Sequence, residues 1–391
     1  MKKIIIGCSG GPDSMALLDM LEKTGKYEIG IAHVNYQKRE SAQRDEEIVK
    51  QYAEKHGLKM WILYPQWNHE GNFQAWARDV RYDFFVQCAK EFDTEDLFIA
   101  HQLDDHIETY YFQKQRQMVC DTFGLAKNSV YRNLKVHRPL LGYEKKELEQ
   151  YCQNNHVPYG IDESNLTDDY TRNTIRHHQT EALTKKQKLA ICEDIEDENK
   201  QMQRKREEAR AFLKTNYTVD ELIRQKEAWL ILDVYLYEHT QKHYAKKHLC
   251  SLVEQLHTDC LISLGEFELE RWQNHLICQR TMIDKPVILN TIEYKDYGSF
   301  KLSRRGKTIE GVTLKASDFP ITIRPVQSGD SILLRYGRKK LSRFFIDRKI
   351  PRYLRKQWLV MENKDKEIIF VPGIGCDVNH FSIQPTLFML K

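Results

Sequence analysis

The chain has 391 residues, 41% of them hydrophobic and 30% charged, with a formal net charge of only +4. This length suits two or three domains, and the composition excludes a disordered chain. Nine cysteines occur without any C-x-x-C or histidine-paired spacing, which argues for reduced thiols and against a zinc site or disulfide framework. No apolar run approaches membrane-spanning length, and the chain opens on a strand pattern without a signal-peptide pattern. A cytoplasmic protein with no membrane association is expected.

The first element is "KIIIG", a β-branched run that reads as a buried strand. It passes through "CSGGPDS" into the helical periodicity of "SMALLDMLEKTG", with Asp13 and Ser14 expected at the helix N-cap. A strand, a glycine turn and a helix N-terminus make an anion site, because the N–H groups and the helix dipole both favour negative charge. There is no lysine after the glycines and no G-x-G-x-x-G, so the commoner nucleotide loops are excluded. Strand patterns then recur at "EIGIAHV", "KMWILYP" and "DLFIAH", separated by "RDEEIVKQYAEKHG" and "FQAWARDVRYDFFVQCAKEF", which read as helices. The β-α-β-α order predicts a parallel sheet with helices on both faces and ligands at the carboxyl ends of its strands.

From about 174 to 210 the charges alternate in sign and predict a long solvated linking helix. Residues 219 to 278 read as a compact helical stretch, and the chain from about 283 as short strands between glycine turns. The expected architecture is α/β, in three parts. Residues 1–210 form the catalytic domain with its trailing helix, 211–285 a helical middle domain, and 286–391 a small α+β C-terminal domain.

Charged residues gather at the strand ends. Asp104 and Asp105 follow "LFIA", with Glu108 one helical turn on. Carboxylates this close repel unless a cation sits among them, and Mg²⁺ on triphosphate oxygens is the candidate, with Asp104 and Asp105 as its expected ligands or as partners of a substrate amine; a helix-capping aspartate pair on a solvated surface is the alternative. Arg78 and Arg81 share one face of a predicted helix, a spacing suited either to clamping phosphate or to plain solvation. His33 and Asn35 follow the second strand, where a lone histidine is more often structural. "DESNLTDDYTRNTIR" sets acids and amides beside Arg172 and Arg176 in a polar loop.

Taken in order, S-G-G-x-D-S, H-V-N, A-R-x-x-R-Y, L-D-D-x-x-E-T, R-P-L-L and D-x-S-N-x-x-x-x-x-x-R-N-x-x-R resemble the bacterial tRNA(Ile)-lysidine synthetase family, within the PP-loop ATP pyrophosphatases. The tail "IRPVQSGDSILLRYGRKKLSRFFIDRKIPRYLRKQWLV" resembles that family's C-terminal domain. The resemblance implies an adenine nucleotide alpha hydrolase-like fold and a ligase. Such an enzyme joins L-lysine to C2 of the wobble cytidine, position 34, of a CAU-anticodon tRNA(Ile), through an adenylated intermediate.

It further implies ATP contacts from Ser9, Gly10, Gly11, Pro12, Asp13, Ser14, His33 and Asn35, and catalytic roles for Asp13, Asp104, Asp105, Glu108 and Arg81. Arg78, Arg172, Arg176, Arg338, Lys339 and Lys340 would hold tRNA. The sequence departs from the family pattern at Tyr36 and Gln102, where histidines are usual, and at Ala100, where glycine is. A tRNA thiolase is the nearest rival, but those enzymes usually need cysteine pairs. A metabolic PP-loop synthetase would lack the basic tail, and a non-enzymatic RNA-binding module would not need the intact carboxylates. The oligomeric state stays open, a homodimer among the alternatives.

Overall fold

The computed structural model describes residues 1–37, 41–68, 71–160, 175–281 and 285–390, without the side chains of 177 and 178. The described chain divides into two compact units, Met1–Glu207 and Glu208–Lys391.

The first unit is built on strands β1 (Lys2–Gly7), β2 (Tyr27–Val34), β3 (Lys59–Leu63), β4 (Asp96–Ile99), β5 (Asn128–Tyr131) and β6 (Leu134–His137). Their order in the sheet is β3-β2-β1-β4-β6-β5, parallel except for the edge pair β5–β6. The β5–β6 hairpin is absent from the sequence-based strands, because two four-residue segments with little β-branching carry almost no periodic signal. Helices α1 (Pro12–Lys23), α2 (Ser41–His56), α3 (Phe73–Glu91), α4 (Leu103–Gln115) and α5 (Lys145–Asn154) follow in the chain.

Strand alternation decides the two faces. Ile4 and Ile6 pack with Met15, Leu18, Val49, Tyr52, Leu148 and Cys152 from α1, α2 and α5. Ile5 points the other way, against Tyr82, Phe84, Phe85 and Cys88 of α3. All three isoleucines are fully buried, each contributing about 1.5–3 kcal/mol of hydrophobic stabilisation. The strand order reverses between β1 and its neighbours β2 and β4, so the crevice for a ligand opens at the carboxyl ends of β1 and β4.

A π-helical turn (Arg176–Thr180) precedes the long helix α6 (Lys185–Leu213). The sequence predicts a solvated helix here, but one side is covered. Asn199 pairs with both backbone groups of Phe123, Glu198 takes Tyr110 and Lys114, and Arg206 reaches the carbonyl of Cys120. These contacts are polar, so alternating charge conceals a buried face.

The second unit begins with helices α7 (Val219–Ile223), α8 (Ala228–Thr240) and α9 (Lys246–Gln255). The helical reading fails beyond residue 260. Strands β7 (Leu261–Ser263), β8 (Phe267–Trp272) and β9 (His275–Arg280) form an antiparallel sheet there. Gln273 and Asn274 turn between β8 and β9 with φ of 50° and 64°, the left-handed pair a two-residue hairpin requires. The signal is hidden because β8 buries Glu268, Leu269 and Glu270 alike, which breaks the apolar–polar alternation.

The tail holds β10 (Val287–Leu289), β11 (Lys301–Ser303), β12 (Gly311–Val312), β13 (Ile321–Pro325), β14 (Ser331–Leu334) and β15 (Gly337–Lys340). Helices α10 (Leu341–Asp347) and α11 (Arg352–Lys356) follow, then β16 (Leu359–Glu362), β17 (Ile368–Val371), β18 (Gly375–Cys376) and β19 (Leu387–Leu390). Strands β10-β13-β16-β17-β14-β15 form the larger, mostly antiparallel sheet, and β11-β19-β12 a smaller one. Phe344 and Phe345 are buried in the core as their spacing suggests, whereas Ile346 is 55% exposed. Among the described residues no helix is long and apolar enough to cross a membrane.

Candidate active site

The loop after β1 is shaped by its own hydroxyls. Ser14 Oγ accepts from the Ser9 amide at 3.1 Å and donates to the Gly11 carbonyl at 3.0 Å. Gly10 has φ +88°, and a Cβ there would lie 2.7 Å from the Asp45 carbonyl oxygen, so the turn admits only glycine. Gly11, not Asp13 or Ser14, is the N-cap of α1, with Pro12 in the first turn. The fixed φ of proline suits N1, and Ser14 folds back onto the loop. The α1 N-terminus therefore has no side-chain cap, which fits an anion as its partner.

Asp13 projects from that first turn. Its side chain is half-buried, but Oδ1 is fully buried without a hydrogen-bond partner. Burial, with Asp105 adding to it, pushes the carboxyl up to about 7. An orphaned carboxylate oxygen beside a second carboxylate fits a bound cation, and Mg²⁺ would be held here by Asp13 and Asp105.

His33 is buried, with Nδ1 2.9 Å from the Cys8 carbonyl. A carbonyl can only accept, so Nδ1 carries the proton, and burial lowers the imidazole below its ordinary range. Nε2 is a buried acceptor without a protein partner, available to a ligand N–H. Asn35, the other expected ATP contact after β2, bonds within the protein. Its amide nitrogen donates to Glu46 at 2.7 Å and its oxygen accepts from the Gln37 amide at 2.8 Å, so it braces the turn after β2.

At the end of β4, Gln102 caps α4: its side chain accepts from the Asp104 amide at 2.6 Å, and Asp105 accepts from the Gln102 amide at 3.0 Å. Glu108, 2% exposed, takes a forked pair of bonds from Arg176 at 2.6 and 3.1 Å. Arg176 also lies 3.8 Å from Asp105. Asp104 Oδ1 pairs with the Lys188 ammonium at 2.6 Å. Of the expected Asp104–Asp105 metal pair, Asp104 stands in an ion pair and Asp105 in the cap of α4. Among the described residues no group of three or more acidic, histidine or cysteine side chains is arranged to hold a metal ion.

Arg78 and Arg81 are exposed on α3, with the Arg78 guanidinium over the Tyr82 ring at 4.8 Å. Arg172 lies outside the described residues. In the second unit Arg338 and Lys340 are exposed, whereas Lys339 is half-buried beside Asp347 at 3.4 Å and over the Phe344 ring at 5.7 Å.

Comparison with known proteins adds identity to this geometry. A PP-loop domain model matches residues 1–183, and a TilS substrate C-terminal domain model matches residues 321–386. The tRNA(Ile)-lysidine synthase of Mycoplasma mycoides subsp. mycoides SC is 29% identical over 388 residues, 94% of this chain and 96% of that protein. That of Ureaplasma parvum serovar 3 is 42% identical over 181 residues, 45% of this chain and 54% of that protein. Both domain matches and a near full-length similarity to a tRNA(Ile)-lysidine synthase therefore fall on this one chain. A solved U34-tRNA thiolase, NcsA from Methanococcus maripaludis, matches 41% of this chain and 59% of its own at 19% identity, with a TM-score of 0.37.

Two features of the site are not read from the sequence. Lys188 is 7% exposed and bridges Asp104 to Glu144, 3.0 Å away, yet it sits in a lysine-rich run that reads as surface. The Gln102 cap does carry a signal, since Gln102 and Asp105 stand at the reciprocal spacing of a capping box.

Proposed function

We propose that this chain converts cytidine 34 of a CAU-anticodon tRNA(Ile) into lysidine, with ATP and free L-lysine as co-substrates, and so changes codon reading from AUG to AUA. One observation carries the proposal: a PP-loop domain and a TilS substrate C-terminal domain occur in the same chain.

The chemistry divides into two displacements. The C2 oxygen of cytidine attacks the α-phosphorus of ATP, the bond to the β-bridging oxygen breaks, and pyrophosphate leaves. The lysine ε-amine then attacks C2, the C2–O bond breaks, AMP departs with the former C2 oxygen, and the amine gives up a proton.

The residues suit these steps. The uncapped α1 N-terminus and the Ser9–Ser14 loop receive phosphate oxygens, and His33 Nε2 accepts from the nucleotide. Arg176, fixed by Glu108, brings positive charge to developing phosphate charge, and Arg81 and Arg78 add to it from α3. Mg²⁺, when bound at Asp13 and Asp105, supplies neutralisation of the triphosphate. Bacterial tRNA is met in the cytoplasm, where the enzyme acts.

The test is mass spectrometry of a CAU tRNA transcript incubated with ATP and lysine. The expected product gains one lysine per transcript in place of the C2 oxygen, with one AMP released. Full turnover with ammonium in place of lysine, or an ATP-dependent product without lysine, overturns the assignment.

A further inference from the structure

We infer that the tip of the β14–β15 hairpin is a stacking platform for an unpaired base of the RNA substrate, with Tyr336 as the platform. The inference rests on the tRNA-modifying reading above and extends it to a residue and a mode of contact.

In the hairpin Leu334 pairs with Gly337, so Arg335 and Tyr336 are the two turn residues. Tyr336 is 95% exposed, the most exposed of the aromatic side chains in the described chain. Folding gains nothing from the ring, since almost none of its surface leaves water. Turn geometry does not ask for it either. The positive φ that closes the hairpin is carried by Gly337 at +109°, and Asn, Asp and Gly are the residues hairpin turns favour. The ring is held out on a support anchored at its base: Ile332 in β14 and Leu341, the residue after β15, are buried, and β14 is hydrogen-bonded to β17 as well as β15.

The surroundings select the occupant. Arg335, Arg338 and Lys340 on the same hairpin are exposed, and none of them has a carboxylate within ion-pairing distance on that hairpin, which contains no acidic residue between Ser331 and Lys340. A flat aromatic ring among cations matches a nucleotide, whose base stacks while its phosphates meet the charges. Paired bases present their faces only to neighbouring base pairs, so the base concerned is an unpaired or terminal one.

The experiment uses the full chain and a CAU tRNA transcript, with affinity measured across a salt series and lysidine formation measured in parallel. Tyr336→Ala is expected to weaken tRNA binding by about 5- to 150-fold, leaving the slope of log affinity against log salt unchanged because every phosphate contact is kept. Tyr336→Phe and Tyr336→Trp are expected to bind within about twofold of the parent, since both keep the stacking face. A short single-stranded RNA is expected to compete for the site better than a blunt duplex of the same length.

Equal affinity of Tyr336→Ala and the parent overturns the inference. So does a loss in Tyr336→Phe as large as in Tyr336→Ala, which would assign the contact to the hydroxyl. So too does a change of self-association in Tyr336→Ala with RNA affinity intact, which would make the tip a contact between copies of this chain. If the parent itself forms no lysidine, the functional reading fails. If the parent forms lysidine and the Tyr336 variants behave alike, only the platform fails.

Discussion

At the scale of single residues, Asp13 shows binding chemistry held against folding. Its carboxyl is raised from an ordinary 3.8 to about 7, so the folded chain binds this proton more tightly than the unfolded one. Below the ordinary value both states are protonated and there is no difference. The cost grows as pH rises from about 4 to 7 and is complete above that. Asp13→Asn should therefore melt above the parent at pH 8, by about 2–4 °C for each kcal/mol relieved, with the gap closing toward pH 4. The same variant should release no AMP. Thermal melts at several pH values beside an AMP assay check both; parent-level AMP release would remove Asp13 from the site.

His380 works in the opposite sense. It is buried between Asp377 and Asp318, and hydrogen bonding to Asp377 is the leading cause that raises its imidazole. The stabilisation is complete below the unfolded value and is lost as pH rises through the folded one. Melting of the second unit should fall with rising pH above neutrality, and His380→Gln should flatten that fall. An unchanged pH profile in the variant would assign the dependence to another group.

At the scale of elements, α6 is tied to the active-site helix by buried charge. Lys188 bridges Asp104 and Glu144, and removing one member of such a network leaves the others desolvated, typically costing about 3–5 kcal/mol. Lys188→Met should lower the stability of the first unit by that order and reduce lysidine formation. Lys188→Arg should restore much of the stability. Chemical denaturation of the variants checks this; a drop under about 1 kcal/mol would mean the pair is solvent-screened.

Legibility in the sequence also divides by element. The strand–turn–helix at residues 4–18 was legible because β-branched residues, paired glycines and helical periodicity agree. The β8–β9 hairpin was not, since Glu268 and Glu270 occupy inward positions where a strand pattern calls for apolar residues. In the site, Asp13, Asp105, Glu108 and Arg176 were legible as residue types at motif spacing. Their partners were not: the Arg176–Glu108 fork joins residues 68 positions apart, and Lys188 resembles its neighbours in all but its contacts.

At the scale of the whole molecule, cations that look alike in sequence divide by what they touch. Of Arg338, Lys339 and Lys340, Lys339 is the one with an ion pair to Asp347 and a ring beneath it. Replacing all three with alanine should weaken tRNA binding and lower the log–log salt slope by about 0.7–0.9 for each phosphate no longer neutralised. Most of that change should come from Arg338 and Lys340. ATP binding should be little altered. Salt titrations of the triple variant and of Lys339→Ala alone separate the contributions, and an unaltered slope in the triple variant would return the segment to plain surface.

The buried carboxylates of β8 bear on how this architecture can be rearranged. Glu270 accepts from the backbone amides of Arg352 and Tyr353 at 2.8 and 2.9 Å, and Glu268 holds Lys356. The Arg355 guanidinium lies over the Trp272 ring at 5.5 Å. Strand β8 thus supplies the first-turn acceptor that α11 lacks in its own N-cap residue, Pro351. A C-terminal fragment started at residue 286 would leave those amides without their acceptor and the Trp272 contact unmade. In evolution or in the laboratory, the tail is therefore a poor cassette when excised there. A fusion that transplants it whole carries the hairpin of residues 267–280 as part of the graft.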